Sequence, residues 1–213
     1  MYISEYMTSD PITISSAVFL PEARRILNEF HIRHLPVVDR ENKLVGIVSD
    51  RDLRSAYPSS VTSREDKILA FEQVEKTTVA DMMTTTCSTL GPDATLDDAL
   101  LIFDRDKVGG LPVVSEDNVV LGMFSLLDLT AAYRKLFGVA EEGSVLIGIE
   151  DDDRDNILSE LVILLEQNGI LLTRLIRLVE KNEVTKIFMR INSRKPLEVY
   201  KLLRSKGFVF LEP

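Results

Sequence analysis

The sequence predicts an α+β protein built from two duplicated β-α-β-β-α units and a third unit with the order β-α-β-β-α-β. Three observations lead to this prediction. Residues 6–57 align without a gap on residues 82–133, at an offset of 76 residues and with 17 identities in 52 pairs, where average residue usage gives roughly 3 or 4. In each copy a helical apolar period precedes two short β-rich segments. Residues 144–213 lack this repeat but have their own alternation of strand and helix patterns.

Each copy begins with an extended segment, at residues 11–14 in the first and 87–90 in the second. The amphipathic helix of the first copy has an apolar stripe with i, i+3, i+4, i+7 spacing: Ala23, Ile26, Leu27 and Phe30. In the second copy Thr95 and Asp98 have capping-box spacing before the helix, which Phe19 and Glu22 do not reproduce. Strands are predicted at residues 35–38, 44–48, 111–114 and 119–124. Helices flanking a small sheet would bury its apolar faces, with the two units packed together.

The third unit resembles a split βαβ, ferredoxin-like sandwich in its element order. Strands are predicted at residues 144–149, 171–179, 186–191 and 208–211, and helices at 156–168 and 196–206. Gly169 suits the end of the first helix, and Pro196 suits the start of the second. The predicted domains are residues 1–60, 79–137 and 144–213. Residues 61–78 form a linker in which Ile68, Leu69 and Phe71 suggest a helix.

Composition narrows the possible functions. The chain is 45% hydrophobic and 28% charged, with a net charge of −9 and a pI near 4.9. This favours a soluble globular protein and argues against nucleic acid or anionic membranes as partners. A single cysteine, no apolar run of transmembrane length and no signal-peptide pattern at the first residues predict a cytoplasmic protein.

Neither a metal site nor a catalytic constellation is predicted. His31 and His34 have H-x-x-H spacing, but a strand follows directly and no cysteine or carboxylate cluster accompanies them. Asp151, Asp153 and Asp155 alternate as in a calcium loop, although Val162 stands where a bidentate Glu is required. Phosphate-binding and nucleophile-elbow motifs are absent from the sequence.

The strongest candidate site is a Ser-x-x-Asp motif that follows a predicted strand in both copies. Ser49 and Asp52 form it in the first copy, and Ser125 and Asp128 in the second. Helix capping alone would explain this pattern. A functional alternative is nucleotide binding, because a helix N-terminus attracts phosphate and a carboxylate accepts hydrogen bonds from both ribose hydroxyls.

The motifs around both pairs resemble those of tandem cystathionine-β-synthase (CBS) domains, whose paired unit is called a Bateman module. The resemblance covers about residues 1–135 and rests on Met-Thr at 7–8 and 83–84, His-Leu-Pro-Val-Val and Gly-Leu-Pro-Val-Val at 34–38 and 110–114, and the segments 46–53 and 122–129, which start with Gly and contain the Ser-x-x-Asp motif. It implies regulation by adenosine-containing ligands such as AMP, ADP or ATP. By position, Asp52 and Asp128 would hold ribose, while Ser49 and Ser125 would contact ribose or phosphate. The adenine slots would be edged by Ile12, Thr13, Ser88 and Thr89.

The two copies differ where phosphate would lie. The first copy has cationic or titratable side chains there, namely Arg33, His34, Arg51 and Arg54, and the second has Gly109, Gly110, Leu127 and Thr130 at the aligned positions. We therefore expect the Asp52 site to be the better phosphate site. Alternatively, these arginines are solvated or pair with Asp50 and Glu29.

Residues 144–213 resemble an ACT-type domain in element order and core pattern, without the Asp-x-Pro-Gly turn of ligand-binding members. A CBS pair followed by such a unit is similar to bacterial acetoin-utilisation regulatory proteins. This resemblance implies a non-catalytic homodimeric sensor that relays occupancy of the CBS pair to the ACT-like unit or to a partner. Two alternatives remain: a structural scaffold without ligand, and a small nucleotide-acting enzyme with Asp52 or Asp128 as its base.

Overall fold

The computed structural model describes residues 1–58, 64–152, 154–179 and 184–211. The chain divides into two compact units, Met1–Ala132 and Tyr133–Pro213. Within the described residues, no helix combines the length and the apolar character needed to cross a membrane.

The first unit contains both sequence copies. Its strands are β1 (Thr8–Ser9), β2 (Ile14–Ser15), β3 (His34–Val38), β4 (Leu44–Ser49), β5 (Gly110–Val114) and β6 (Val120–Ser125). Its helices are α1 (Leu20–Glu29), α2 (Asp50–Ala56), α3 (Arg64–Val74), α4 (Leu96–Asp106) and α5 (Leu126–Leu136), of which α5 continues into the second unit. Single 3₁₀ turns, Ile3–Glu5 and Val79–Asp81, precede the two copies.

Two three-stranded sheets form, one for each copy. The first has the order β2-β3-β4, with β2 parallel to β3 and β3 antiparallel to β4. The second has the order β1-β6-β5, with all pairs antiparallel. The predicted extended segment 87–90 is shorter than expected, because only Leu90 pairs, in parallel with Val113. The four longer strands are confirmed to within one residue at each end.

The first residues of each copy pair with the sheet of the other copy. Strand β1 lies before the first copy's core but pairs with β6, placing Thr8 opposite Met123. Thr84, at the aligned position, bridges to Ile47 in β4 and exchanges two backbone hydrogen bonds with it, of 2.9 and 3.0 Å. The two copies are therefore joined by reciprocal backbone pairing.

A second reciprocal contact joins the β3-β4 and β5-β6 turns. The amide of Leu44 donates to the carbonyl of Asn118 (2.9 Å), and the amide of Val120 donates to the carbonyl of Asn42 (3.1 Å). Both asparagines have positive φ, of 59° and 63°, a conformation that Asn tolerates better than most residues. Each side-chain amide also donates across the copies, from Asn42 to the Val120 carbonyl and from Asn118 to the Leu44 carbonyl.

The first helix of each copy packs one apolar face inward. Ala23 and Leu27 in α1 are buried, as are the aligned residues Ala99 and Phe103 in α4. The prediction was wrong for Phe30, which is 52% exposed. The helix ends at Glu29, and Phe30 is its C-cap, so the periodicity that would turn this ring inward stops. The capping box of Thr95 and Asp98 is confirmed, with a hydrogen bond in each direction.

The linking helix predicted within residues 61–78 is confirmed as α3, while residues 59–63 lie outside the described residues. Val74 at its end joins the core of the first copy. The residues that suggested the helix face outward instead, because α3 has almost no amphipathic character: Ile68, Leu69 and Phe71 are 53%, 66% and 46% exposed.

The second unit has the element order β-α-β-β-α. Its elements are β7 (Ser144–Glu150), α6 (Ile157–Gln167), β8 (Leu171–Leu178), β9 (Lys186–Asn192) and α7 (Pro196–Ser205). The antiparallel sheet has the order β7-β9-β8. Residues of α6 and α7 pack with one face of it, burying Ile147, Met189 and Leu161 completely or nearly so.

The predicted last strand, residues 208–211, is reduced to one bridge between Phe210 and Ile149. Two backbone hydrogen bonds support this bridge, from the Glu150 amide to the Val209 carbonyl and from the Leu211 amide to the Gly148 carbonyl. Phe208 is buried in the core, so the segment still contributes apolar packing although it forms no continuous ladder.

Two glycines permit the reciprocal pairing. A Cβ on Gly46 would lie 2.9 Å from both Met83 Sδ and the Thr84 carbonyl oxygen, and a Cβ on Gly122 would lie 2.7 Å from Met7 Sδ. Because one contact of each glycine is with backbone, small side-chain movements cannot relieve the overlap. Gly46 and Gly122 are aligned positions, so the same constraint acts in both copies.

We expect Gly46→Ala to lower the free energy of unfolding by about 1–3 kcal/mol, the usual cost of overpacking a close contact. Urea denaturation of the full chain measures this change. Gly91→Ala is the matched control, since a Cβ there meets nothing within 4 Å, and its effect should stay within about 0.5 kcal/mol. Equal stability of the two variants would contradict the role assigned to the close approach.

Candidate functional site

The first predicted site lies where β4 passes into α2. Ser49 is the N-cap of α2, and its hydroxyl accepts a hydrogen bond from the Asp52 amide (3.3 Å). One carboxylate oxygen of Asp52, Oδ2, accepts hydrogen bonds from the Ser49 amide (2.8 Å) and from the Ser49 hydroxyl (2.7 Å). The capping interpretation of the motif is therefore confirmed in the first copy.

The second site repeats this geometry where β6 passes into α5. Oδ2 of Asp128 accepts from the Ser125 amide (2.8 Å) and hydroxyl (2.7 Å), and the Asp128 amide donates to the Ser125 hydroxyl (3.4 Å). Among the described residues, Oδ1 of neither aspartate accepts a hydrogen bond. The cap therefore fixes the direction of each carboxylate through one oxygen and leaves the other available to a further donor.

His34 connects the first site to the second copy. It pairs across the strands with Ser49, and its ring lies against the backbone of Gly109 and Gly110. A Cβ on Gly110 would be 2.7 Å from Nδ1 of the imidazole. Positions 34 and 110 are aligned in the repeat, so the interface between the copies has room for one side chain where two would otherwise meet.

Sequence reasoning placed His34 near phosphate but missed this contact. The signal was present in the alignment, as a bulky residue in one copy opposite glycine in the other. Burial lowers the pKa of His34 below its ordinary value of 6.5, and the Arg33 guanidinium lowers it further, although the negative charges of Asp52 and Asp50 act in the opposite direction. The neutral imidazole is therefore favoured.

The arginines of the first site differ in their contacts. Arg54 forms an ion pair with Asp50 one helical turn away, as the alternative interpretation predicted. The suggested pairing of a site arginine with Glu29 was wrong, because Glu29 binds Arg25 on the same helix at i, i+4 spacing. Arg33 and Arg51 are exposed, and within the described part of the chain neither pairs with an acidic side chain.

The residues predicted to edge the adenine slots have mixed environments. Thr13 and Thr89 are half-buried, and Ile12 packs against the core of the first copy. Ser88 differs because its hydroxyl already donates to Asp106. Hydrogen bonds from the Arg105 guanidinium and from Ser88 lower the pKa of Asp106 to about 2, so this carboxylate is ionised and holds Ser88 in place.

A cavity of about 650 Å³ lies elsewhere in the first unit. It is lined by α3 and the turns that follow it, with Leu69, Gln73 and Asp81 among its residues, and includes neither predicted ribose-binding aspartate. The two predicted sites lie instead at strand-to-helix junctions, where the helix caps orient the two carboxylates.

No grouping of three or more potential metal ligands occurs in residues 1–58, 64–152, 154–179 and 184–211. His31 has a positive φ of 53° and an exposed side chain, and it lies beyond the end of α1. Of the alternating aspartates, Asp151 is buried and forms an ion pair with Arg177, while Asp153 lies outside the described residues. Cys87 is half-buried, and burial raises the pKa of its thiol, which disfavours the nucleophilic thiolate.

The family comparison agrees with the repeat. The model of the CBS domain matches twice, at residues 3–59 and 79–135. The chain belongs to the CBS-domain family. The two matches form a tandem pair, the Bateman arrangement, and both contain a Ser-x-x-Asp junction.

Among relatives, a CBS domain-containing protein of Dictyostelium discoideum is 31% identical over 129 residues, covering 60% of this chain and 87% of that protein. The inosine-5'-monophosphate dehydrogenase of Bifidobacterium longum (strain NCC 2705) is 35% identical over 123 residues, covering 57% of this chain but only 20% of the enzyme. Most of the enzyme therefore has no counterpart in the matched region.

Two solved structures are similar to the CBS pair. One is the CBS domain pair of protein MJ0100 in complex with 5'-methylthioadenosine and S-adenosyl-L-methionine, at 28% identity, with 66% of this chain and 98% of that chain covered and a TM-score of 0.53. The other is a putative acetoin utilisation protein (AcuB) from Vibrio cholerae, at 29% identity, with 65% and 94% covered and a TM-score of 0.53.

The lowered pKa of His34 predicts a pH-dependent stability. His34 takes up a proton more readily in the unfolded chain, where its pKa is about 6.5, than in the folded chain, where its pKa is lower. The stability that is present above about pH 6.5 is therefore lost as the pH falls. We expect the difference in unfolding free energy between wild type and His34→Gln to decline as the pH is lowered from about 7.5 to about 5, by less than about 1.4 kcal/mol per pH unit.

Denaturant unfolding at several pH values measures this slope. His31→Gln is the control, because it removes an exposed imidazole three residues away and should follow the wild-type profile. If the difference in unfolding free energy between wild type and His34→Gln stays constant over this range, the imidazole is not held neutral by its contact with the second copy.

Proposed function

We propose that this protein is a non-catalytic regulator whose CBS pair binds adenosine-containing ligands at the Asp52 and Asp128 junctions. The observation that carries the proposal is the duplicated carboxylate geometry. In both copies the cap uses Oδ2 and leaves Oδ1 without a protein donor among the described residues, at a helix N-terminus. A ribose diol offers two hydroxyl donors to such a group. The bound 5'-methylthioadenosine and S-adenosylmethionine of the similar MJ0100 pair support this ligand class.

Charge favours the Asp52 junction for ligands that carry phosphate. Arg33 and Arg51 are exposed, and no acidic partner occupies them within the described residues, whereas Arg54 is already paired with Asp50. The aligned positions in the second copy are Gly109, Leu127 and Thr130. The Asp128 junction therefore suits an uncharged or cationic adenosine compound better. Both junctions bind without turnover in this proposal.

The second unit would read or transmit occupancy of the CBS pair. Its β-α-β-β-α order and the bridge of Phe210 to β7 support the ACT-like assignment, and similarity of the CBS pair to the Vibrio cholerae protein supports a place among acetoin-utilisation regulators. Such a relay requires that the ligand bind two arrangements of the protein with different affinity.

Isothermal titration of the full chain with AMP, ATP, S-adenosylmethionine and 5'-methylthioadenosine tests the ligand sites. We expect Asp52→Asn to weaken AMP or ATP binding about 10- to 100-fold, because hydrogen bonds to a charged group contribute about 1.5–3 kcal/mol. Asp128→Asn should leave binding of those nucleotides nearly unchanged and should weaken 5'-methylthioadenosine instead. The reverse ranking would overturn the charge assignment.

Asp98→Asn is the matched control, since Asp98 forms an equivalent capping box with Thr95 outside both proposed sites. It should lower stability as Asp52→Asn does while preserving affinity. A bound ligand at about 100 times its Kd would stabilise the protein by about 2.7 kcal/mol. If no probe gives a binding signal or such a thermal stabilisation, the ligand-free scaffold is favoured. Nucleotide breakdown that Asp52→Asn or Asp128→Asn abolishes would favour an enzyme.

A second proposal is that the CBS pair forms a homodimer through its second copy. Four leucines on α4 and α5 are largely exposed, at 44%, 69%, 45% and 67%: Leu100, Leu101, Leu126 and Leu127. The aligned residues of the first copy are charged: Arg24, Arg25, Asp50 and Arg51. Exposed leucines at positions where the related copy carries charged side chains support a partner contact there.

We expect the double substitution Leu100→Arg and Leu101→Arg, which installs the residues of the first copy, to convert a dimer into a 24.0 kDa monomer. Sedimentation velocity measures the mass. Leu197→Arg is the control, as Leu197 is 74% exposed on α7 in the other unit and its replacement should not change the mass. A dimer that persists in the double variant would exclude this surface as the interface.

A further inference from the structure

The second unit contains a pocket on the sheet face opposite its main core. The pocket has a volume of about 310 Å³, which is within the range of small-molecule sites. Five of its lining residues are apolar: Phe137, Val139, Leu146, Ile176 and Phe188. The two others are Arg174 and Arg190. It is therefore an apolar pocket with two cationic groups.

The position of the two arginines is energetically unusual. Arg190 in β9 is paired directly with Arg174 in β8 and with Leu146 in β7. Like charges at directly opposed positions of neighbouring strands destabilise a sheet. Their presence among otherwise apolar pocket-lining residues calls for compensating negative charge.

Only one of the two arginines has that compensation. Arg174 forms two hydrogen bonds with the carboxylate of Glu141, at 2.8 and 2.9 Å, and donates to the carbonyls of Leu136 and Lys135. Arg190 donates to the Ser144 hydroxyl (3.2 Å). Across the residues that the structure describes, no carboxylate forms an ion pair with Arg190.

A tight turn holds the apolar wall over these arginines. Gly138 has a φ of +64°, and a Cβ there would lie 2.8 Å from Arg174 Nη1 and 3.1 Å from Arg190 Cδ. This turn places Phe137 and Val139 at the rim of the pocket. The Ser144 hydroxyl donates to the Gly138 carbonyl (3.0 Å) while it accepts from Arg190, so the turn and the guanidinium are fixed relative to each other.

We propose that this pocket binds a small organic carboxylate with an apolar body, the carboxylate pairing with Arg190. The apolar side chains would surround the hydrocarbon part, and the guanidinium would supply parallel hydrogen bonds to the two carboxylate oxygens. An amino acid fits less well. Both oxygens of Glu141, which lies beside the pocket, are engaged by Arg174, and the lining offers no acidic group to an ammonium.

Titration calorimetry of the full chain tests this pocket with three probes that share one carbon skeleton. The probes are 4-methylvalerate, its neutral amide 4-methylvaleramide, and leucine, which adds an ammonium. We expect 4-methylvalerate to bind, and both other compounds to bind at least about 10-fold more weakly. Equal affinity of the amide and the carboxylate would overturn the assignment to Arg190.

Variants of Arg190 separate charge from folding. Arg190→Gln should weaken 4-methylvalerate about 10- to 100-fold, and Arg190→Lys should retain part of the affinity because it keeps the charge. Arg194→Gln is the matched control: it removes an exposed arginine outside the pocket and should bind as wild type does. Wild-type affinity in Arg190→Gln would overturn the proposal.

The alternative occupant of this face is a second copy of the chain, and sedimentation velocity separates the two. If 4-methylvalerate does not bind while Val139→Glu converts a dimer into a monomer, the face is a protein interface and the carboxylate proposal is wrong. If wild type binds 4-methylvalerate, and Val139→Glu has the same mass as wild type in sedimentation velocity, the ligand pocket is supported. Neither outcome depends on adenosine binding at the CBS pair, which the nucleotide titrations measure separately.

Discussion

The exchange of leading segments between the two sequence copies is the constraint on which the first unit depends. Strand β1 completes the sheet of the second copy, and Thr84 pairs with the sheet of the first. Gly46 and Gly122 allow the backbones to approach, and a Cβ at either would overlap the arriving segment. Neither copy has all of its backbone pairing without the other, so the CBS pair is better regarded as one folding unit than as two linked domains. The strand-to-helix junctions are positioned by the same sheets.

Under the proposed function, the Ser-x-x-Asp motif gives one side chain both a structural and a ligand-binding role. The cap engages the serine amide and hydroxyl with a single carboxylate oxygen in each copy. Its contribution to stability is of the order of 1 kcal/mol, and it also removes rotational freedom from the carboxylate. A preorganised acceptor loses less entropy when a diol binds. The capping geometry thus supports ligand binding at the same residue, and the two original interpretations of the motif are compatible.

Prediction from the sequence succeeded where the signal was local or repeated. The longer strands of both copies, the cap at Thr95 and the first five elements of the second unit follow from short patterns that neighbouring residues determine. It failed at element ends. Phe30 fits the apolar spacing of the first helix, but the helix ends at Glu29. Residues 208–211 have a strand pattern, but they form only one β-bridge. At the candidate site the motif residues were identifiable, but the pairing of Glu29 with Arg25 and of Ser88 with Asp106 was not, because several acceptors lie within reach of each donor.

The sequence by itself determined that the chain contains a duplication, that each copy places an acidic residue three positions into a helix, and that the third unit differs from the first two. Periodicity and spacing carry this information without reference to distant residues. Only the tertiary structure decided that the leading segments change partners, that His34 lies over Gly110, and that Arg190 shares an apolar pocket with a neutralised Arg174. These features depend on contacts between residues well separated in the sequence, from Arg174 and Arg190 in neighbouring strands to Thr8 and Met123 at opposite ends of the first unit. The entropy of closing a loop changes too slowly with its length for sequence distance to select among possible partners.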